Sequence, residues 1–350
     1  MTGIDFGGRQ IVLRSRNGRR SLRVARRSVV VVGIAGAIAL VLALISLATG
    51  ELPLSIGQVV DALLGRSAGL THTVVVDWRL PRVVLAVLFG IALGLAGAIF
   101  QSLTRNPLGS PDIIGFDSGA YAGALIVMLG LHATGVYSTT LGALIGGIAT
   151  AAAVYGLAWR RGVHGFRLIL VGIGVGAMLT SLTTWLILTA SLQEAISASF
   201  WGNGSLDAVG YEQLWPALIV FAILFPAVAV LARPLHLLDL GDDAAKQFGV
   251  PVERTRLLLV IVGVCLSATV TSLAGPIAFV ALSAPQIARR LTGSAGIPLA
   301  ASAALGCVLL VAADWIAQHA FPVQLPTGIV TVVLGGGYFV WLLIREARNR

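Results

Sequence analysis

The sequence predicts an all-α polytopic membrane protein with about ten transmembrane helices. Three observations predict it. Of 350 residues, 57% are hydrophobic and only 11% charged, against about 25% charged in soluble domains. Ten apolar stretches follow one another, most of them near the roughly 20 residues that cross a bilayer as a helix. With ten spans drawn, 21 of the 24 Lys+Arg fall in one set of alternate connecting segments, and only Arg66, Arg79 and Arg82 fall in the other. Basic residues stay on the cytoplasmic side, so both termini are expected in the cytoplasm. The same rule accounts for the net charge of +9 without a nucleic-acid partner.

The elements follow in order. Residues 1–28 are a basic cytoplasmic tail carrying eight arginines. Residues 29–350 form one ten-helix domain. The first span is 29–49. Ser46-Leu47-Ala48 resembles a signal-peptide cleavage site, but the run exceeds the usual apolar core of about 7–15 residues and further spans follow, so it reads as a retained helix. Segment 51–77 is an outer loop with a short amphipathic helix near 56–64. Arg79-Leu80-Pro81-Arg82 opens the second span, 83–102, where Gly90, Gly94 and Ala98 make a stripe of small residues that lets helices approach closely. Asn106-Pro107-Leu108-Gly109 and Pro111 break the chain at the inner surface. The next spans are 115–131, 139–158, 168–190 and 214–231, with an amphipathic outer loop at 191–210. Beyond them come 257–272, an outer break at Gly275-Pro276, a short Pro285-interrupted span at 277–287, then 299–316 and 328–344.

Between the sixth and seventh spans lies the largest internal loop, 233–256, a polar island. Residues 235–240 suit a short helix. Gly241 supplies a turn, Asp242 can cap a second helix over 243–248, Gly249 stands where it stops, and Pro251 cannot continue it. Leu237, Leu240, Ala244 and Phe248 would line one apolar face. A shaped loop on the ATP side suits docking of a partner, and an ordinary connector would fold the same way.

Enzyme and metal chemistry find little footing. Two cysteines, Cys265 and Cys307, lie inside separate apolar runs, and the five histidines lack metal-ligand spacing. There is no phosphate-binding G-x-x-x-x-G-K-[ST], since the sole lysine, Lys246, sits in Ala-Ala-Lys-Gln. Gly172, Gly174, Gly176 and Ala177 imitate a dinucleotide fingerprint but lie inside an apolar span, where they read as a packing surface. Asp314 is the intramembrane acid, with Gln318 on its face and His319 off it. One role is a proton or ion relay. The other is a helix-end carboxylate bonded to polar neighbours, which the lack of a chain of acids favours. Gln101, Asn106 and Gln286 are polar residues of the kind that join helices. Arg79 and Arg82 flank Pro81 on the outer side. There they either snorkel or pair with acids of an outer partner.

Several motifs together carry a resemblance. They are Arg79-Leu-Pro-Arg82, the run from Gly94 to Gly119, Trp201-Gly-Asn-Gly-Ser-Leu206, Leu235-His-Leu-Leu-Asp-Leu-Gly with Ala245 and Phe248-Gly-Val, Gly275-Pro-Ile-Ala-Phe-Val280, Ala313-Asp314 and Leu325-Pro-Thr-Gly328. In order and spacing they resemble the iron-chelate (siderophore) and cobalamin ABC importer permease family, across nearly the whole chain after the tail. The resemblance implies the type II importer architecture: a permease subunit paired into a homo- or heterodimer. Two separate ATP-binding subunits, holding the ATP–Mg that this chain does not bind, would sit beneath it, and an extracytoplasmic binding protein above. It implies ATPase coupling through Leu237, Leu240, Gly241, Asp242, Asp243, Ala245, Phe248 and Gly249. It implies binding-protein docking at Arg79 and Arg82, and an inner gate or path at Gln101, Asn106, Leu108, His164, Gly165 and Phe166.

The sequence departs from the family pattern at Pro285-Gln286, at Gly293–Gly296, at Gln318 (where a third docking arginine is missing) and at Gly337-Tyr338. The Phe279–Gln286 variant is closer to the ferric-siderophore branch than to cobalamin or haem permeases. An ion-coupled secondary transporter using Asp314 is the alternative from another class.

Overall fold

The computed structural model describes residues 10–14, 21–133, 135–159, 165–207 and 209–348. A two-stranded antiparallel hairpin, β1 (Gln10–Arg14) and β2 (Ser21–Ala25), precedes the first helix. The sequence reading gave this tail no structure. Fourteen α-helices follow: α1 (Arg26–Ala48), α2 (Ile56–Leu63), α3 (Leu70–His72), α4 (Leu80–Thr104), α5 (Phe116–Leu125), α6 (Val136–Ala158), α7 (Gly165–Thr189), α8 (Leu192–Gly202), α9 (Tyr211–Asp239), α10 (Asp242–Gln247), α11 (Val252–Ala274), α12 (Val280–Thr292), α13 (Leu299–His319) and α14 (Thr327–Arg348). Among the described residues seven helical stretches are long and apolar enough to cross a membrane. Shorter helices at Phe116–Gly130, Thr327–Trp341 and α12 occupy the remaining three predicted positions. The face bearing the island is called inner below, following the charge bias.

Three departures from the sequence reading have physical causes. The second span does not begin at Arg79. α3, a π-helical stretch Thr73–Arg79 and α4 run on without a break from Leu70 to Thr104. Pro81 offers no amide and crowds the preceding turn, and the backbone widens ahead of it, the Leu80 amide reaching back to the Val75 carbonyl. The helix predicted over 235–240 is not separate but the end of α9, which continues to Asp239 through Pro216, Pro226 and Pro234. Burial of Leu235 and Leu238 in the main core holds that last turn helical. The breaks at 105–115 and 275–279, expected on opposite surfaces, meet: the Phe279 amide donates to Asp112 Oδ2 at 3.2 Å. α12 has 13 residues, about 20 Å at 1.5 Å per residue, so its flanking backbone must enter the membrane. There unpaired polar groups are costly and find partners in protein. Phe279 takes a left-handed conformation, φ 67°.

α4 is the hub, packed on α9, α11, α12 and α13. Its small residues set the spacing. A Cβ at Gly94 would lie 2.2 Å from the Ser302 carbonyl of α13, and one at Gly97 would lie 1.7 Å from the Ala281 carbonyl of α12. The expected stripe thus has two uses, with Gly97 making the second contact. Gly172 on α7 likewise abuts Ile114, while Gly174 faces open space.

Candidate functional site

The island folds as a hairpin of helix ends. α9 stops at Asp239, Gly241 turns the chain at φ 113°, and α10 runs from Asp242 to Gln247. Gly249 then takes φ 78°, with its amide on the Lys246 carbonyl and the Val250 amide on that of Ala245. Ala245 is fully buried and anchors α10, whereas Leu240 (64% exposed) and Phe248 (67%) project into solvent. Leu237 packs against the core and is only partly buried. Asp243 is exposed, with Lys246 3.6 Å away.

Asp242 does not cap α10. Its carboxylate accepts two hydrogen bonds from Arg256 Nη2, at 3.0 and 2.9 Å, and one from Arg105 Nη2 at 3.2 Å. The arginines outbid the backbone amides because each bond to them carries full charge. Partial burial pulls the Asp242 carboxyl upward, but the Arg256 hydrogen bonds and charge, with Arg105 and Lys246 behind them, outweigh it and hold its pKa below the usual value. A carboxyl lowered in the fold stabilises above its unfolded pKa, about 3.9, and loses that contribution as pH falls through the folded value. Amide exchange at Ala245, corrected for intrinsic rate, should therefore be flat down to about pH 5 and speed up below about pH 4. Asp242→Asn should make it fast throughout, and a pH-independent wild type would refute the role given to this carboxylate.

The island is tied to the expected gate. Arg105, left-handed at φ 49°, also donates to the Leu238 carbonyl at 3.1 Å, and the Ser102 hydroxyl donates to Asp239. At the next residue, Asn106 Oδ1 accepts the Leu108 amide at 2.9 Å, leaving Leu108 at the surface. Gly165 opens α7 against this turn, so close that a Cβ would lie 2.4 Å from Thr104 Cα, and Phe166 beside it is 75% exposed. The structure thus sets Gly165 and Phe166 beside Thr104, at the start of the turn that carries Asn106 and Leu108. His164 lies outside the described residues. Gln101 is placed as its helix-joining reading expects. It is 1% exposed, between α4 and α12. Its Nε2 donates to the Leu282 carbonyl at 2.9 Å, and its Oε1 accepts from Gln286 at 2.6 Å. Gln286 also reaches the Pro107 carbonyl at 3.4 Å, so this amide pair pins the gate turn to α12.

On the outer face the two arginines turn onto the chain itself. Arg79 donates to the Leu47 and Leu52 carbonyls at 2.8 and 2.7 Å. Arg82, its side chain 14% exposed, forks onto buried Asp314 at 3.1 and 2.8 Å and touches Asp207 at 2.6 Å. Each guanidinium is thus engaged by acceptors of its own chain. Asp314 receives two further bonds, from Gln318 Nε2 at 2.8 Å and Thr327 Oγ1 at 2.9 Å, while His319 bonds the Trp315 carbonyl. A carboxylate with four donors is a structural hub joining α4, α13 and α14. The relay role loses its support.

Sequence reasoning missed Ser102, Arg105, Asp207, Asp239 and Arg256. Each is an ordinary polar residue near a helix end, and its partner, apart from Asp242 beside Arg256, lies more than a hundred positions away. Among the described residues no three His, Cys, Asp or Glu side chains come together to hold a metal.

A family model described as the FecCD transport family matches residues 38–345. The permease protein of the ferric enterobactin transport system of Escherichia coli (strain K12) is 49% identical over 305 residues, covering 87% of this chain and 92% of that protein. The achromobactin transport permease of Dickeya dadantii (strain 3937) is 38% identical over 343 residues, covering 97% and 98%. A solved structure described as an inward-facing metal-chelate type ABC transporter aligns with a TM-score of 0.78 at 25% identity, over 91% of this chain and 99% of that one.

Proposed function

This chain belongs to the FecCD transport family, and from that premise we propose that it imports an iron(III)–siderophore complex, driven by ATP hydrolysed on separate partner subunits. It is a multi-pass membrane permease and a transport component, not an enzyme, working in complex with a second permease chain. The observation that carries the substrate class is the 49% identity to a ferric enterobactin permease over nine-tenths of that protein.

The coupling follows from bonds already described. Leu240 and Phe248 form the apolar contact of an ATPase subunit, and α10 moves with it. Arg105 and Ser102, bonded to Asp242, Asp239 and Leu238, carry that displacement into the turn bearing Asn106 and Leu108. Gln286 and Asp112 pass it to α12. A partner drives such a change only by binding one state better than the other. On the outer side an extracytoplasmic binding protein would deliver the chelate, with Asp207 and Arg82 at the rim where it lands. Both termini would lie in the cytoplasm.

Uptake of radiolabelled ferric catecholate and ferric hydroxamate siderophores, in cells whose own iron-chelate permeases are deleted, tests the reading. Energy-dependent accumulation of one of them is expected. Phe248→Asp should lower both ATPase co-purification and uptake by about tenfold or more, the cost of one interfacial hot spot. Full uptake without any ATPase subunit, or by the Phe248→Asp chain, would overturn it.

A further inference from the structure

The outer halves of α6, α9 and α11 part and leave a cavity of about 280 Å3 walled by Leu141, Leu144, Pro216 and Val220. Val136, Gln213 and Ser272 line both this cavity and a second chamber of about 450 Å3 under α8, so the two adjoin. Both are mainly apolar, and the chamber under α8 adds the polar side chains Thr139, Ser197 and Ser205. Leu141 on α6 and Ile219 and Ile223 on α9 are exposed beside the cavity, on helices long enough to span, so the cleft opens sideways towards lipid. Tyr137 at its rim and Trp215 next to it are also exposed. Such amphipathic rings gather where hydrocarbon meets headgroups, which sets the mouth at headgroup level.

The charges at the mouth are both acidic. Asp207 is already held by Arg82 and Ser205. Glu212, exposed in the first turn of α9, has no ion pair or hydrogen bond among the described residues. Among the described residues no basic side chain lines either chamber. We propose that this cleft is a binding site for an outer-leaflet phospholipid with a primary-amine headgroup, an acyl chain lying between α6 and α9 and the ammonium group paired with Glu212. An anionic headgroup would set like charges together, whereas the ethanolamine headgroup supplies the missing cation. The site is separate from the inner gate and does not depend on the transported substrate.

The full chain, purified in mild detergent from membranes containing both phosphatidylethanolamine and phosphatidylglycerol, tests this by mass spectrometry of retained lipid. Phosphatidylethanolamine should exceed its bulk share by about threefold, the effect of one exposed ion pair. Glu212→Gln should return the ratio to the bulk value while lipid is still retained, and Leu144→Trp, which fills the cleft, should remove the bound lipid. Equal retention of the two lipids, a ratio that Glu212→Gln leaves unchanged, or undiminished lipid on Leu144→Trp would overturn the proposal. Glu212 is at the surface, so its variant folds even if Leu144→Trp does not.

Discussion

Asp314→Asn is expected to lose roughly 3–5 kcal/mol of stability, the cost of breaking one side of a buried ion pair. The reason is the saturation of the site. Two donors come from Arg82, one from Thr327 and one from Gln318. Asparagine turns one acceptor into a donor that faces these same donors, and it removes the charge that the buried guanidinium needs. Asp207 stays within reach of Arg82 but is a third exposed and bonds a single nitrogen, so it does not replace the loss. Replacing both members with apolar residues of similar volume, Arg82→Met with Asp314→Leu, should recover most of the stability. Thermal unfolding followed by fluorescence reads both results. An Asp314→Asn protein that melts like wild type yet transports nothing would restore the relay reading.

Gly97→Ala should be nearly as damaging. The added methyl would sit 1.7 Å from the Ala281 carbonyl oxygen. Ordinary overpacking costs about 1–3 kcal/mol, and here the obstacle is backbone, which cannot rotate aside. α4 and α12 must separate, and the Gln101–Gln286 bond with them. The expected readout is a large drop in monodisperse protein on size-exclusion chromatography and a lower melting point. Gly174→Ala, where nothing lies within 4 Å, is the control. It should be neutral or gain up to about 1 kcal/mol from helix propensity. Equal behaviour of the two variants would remove the role given to Gly97.

The spans were legible because apolar length and charge bias are properties of contiguous residues. The expected span over 139–158 is α6, and that over 299–316 is α13, each within three residues at either end. Turn chemistry placed Gly241 and Gly249 correctly. Long-range pairing left no local trace. Nothing near Arg82 announces that Asp314, 232 positions on, completes it. Asp242 looked like a cap because a local rule offers that role, and two arginines from other segments took the carboxylate instead. The sixth span was expected to stop at residue 231, but packing of Leu235 and Leu238 carried α9 through Pro234 to Asp239. Gln101 read as a path residue by resemblance. By residue type it read as a helix-joining side chain, and its bond to Gln286 agrees with that reading.

The three prolines of α9 have a mechanical meaning. Each removes one amide from the helical ladder, so the rod has three compliant joints along its 29 residues. α11, on the other side of the island, has no proline within it. The island therefore hangs between a jointed strut and a stiff one. A push from below, such as the proposed ATPase contact would give, would be borne by α11 with little change of length or curvature, while α9 would flex to keep the loop closed. The stroke would then become a tilt about the foot of α11, at Pro251 and Val252, rather than a piston movement of the two helices together.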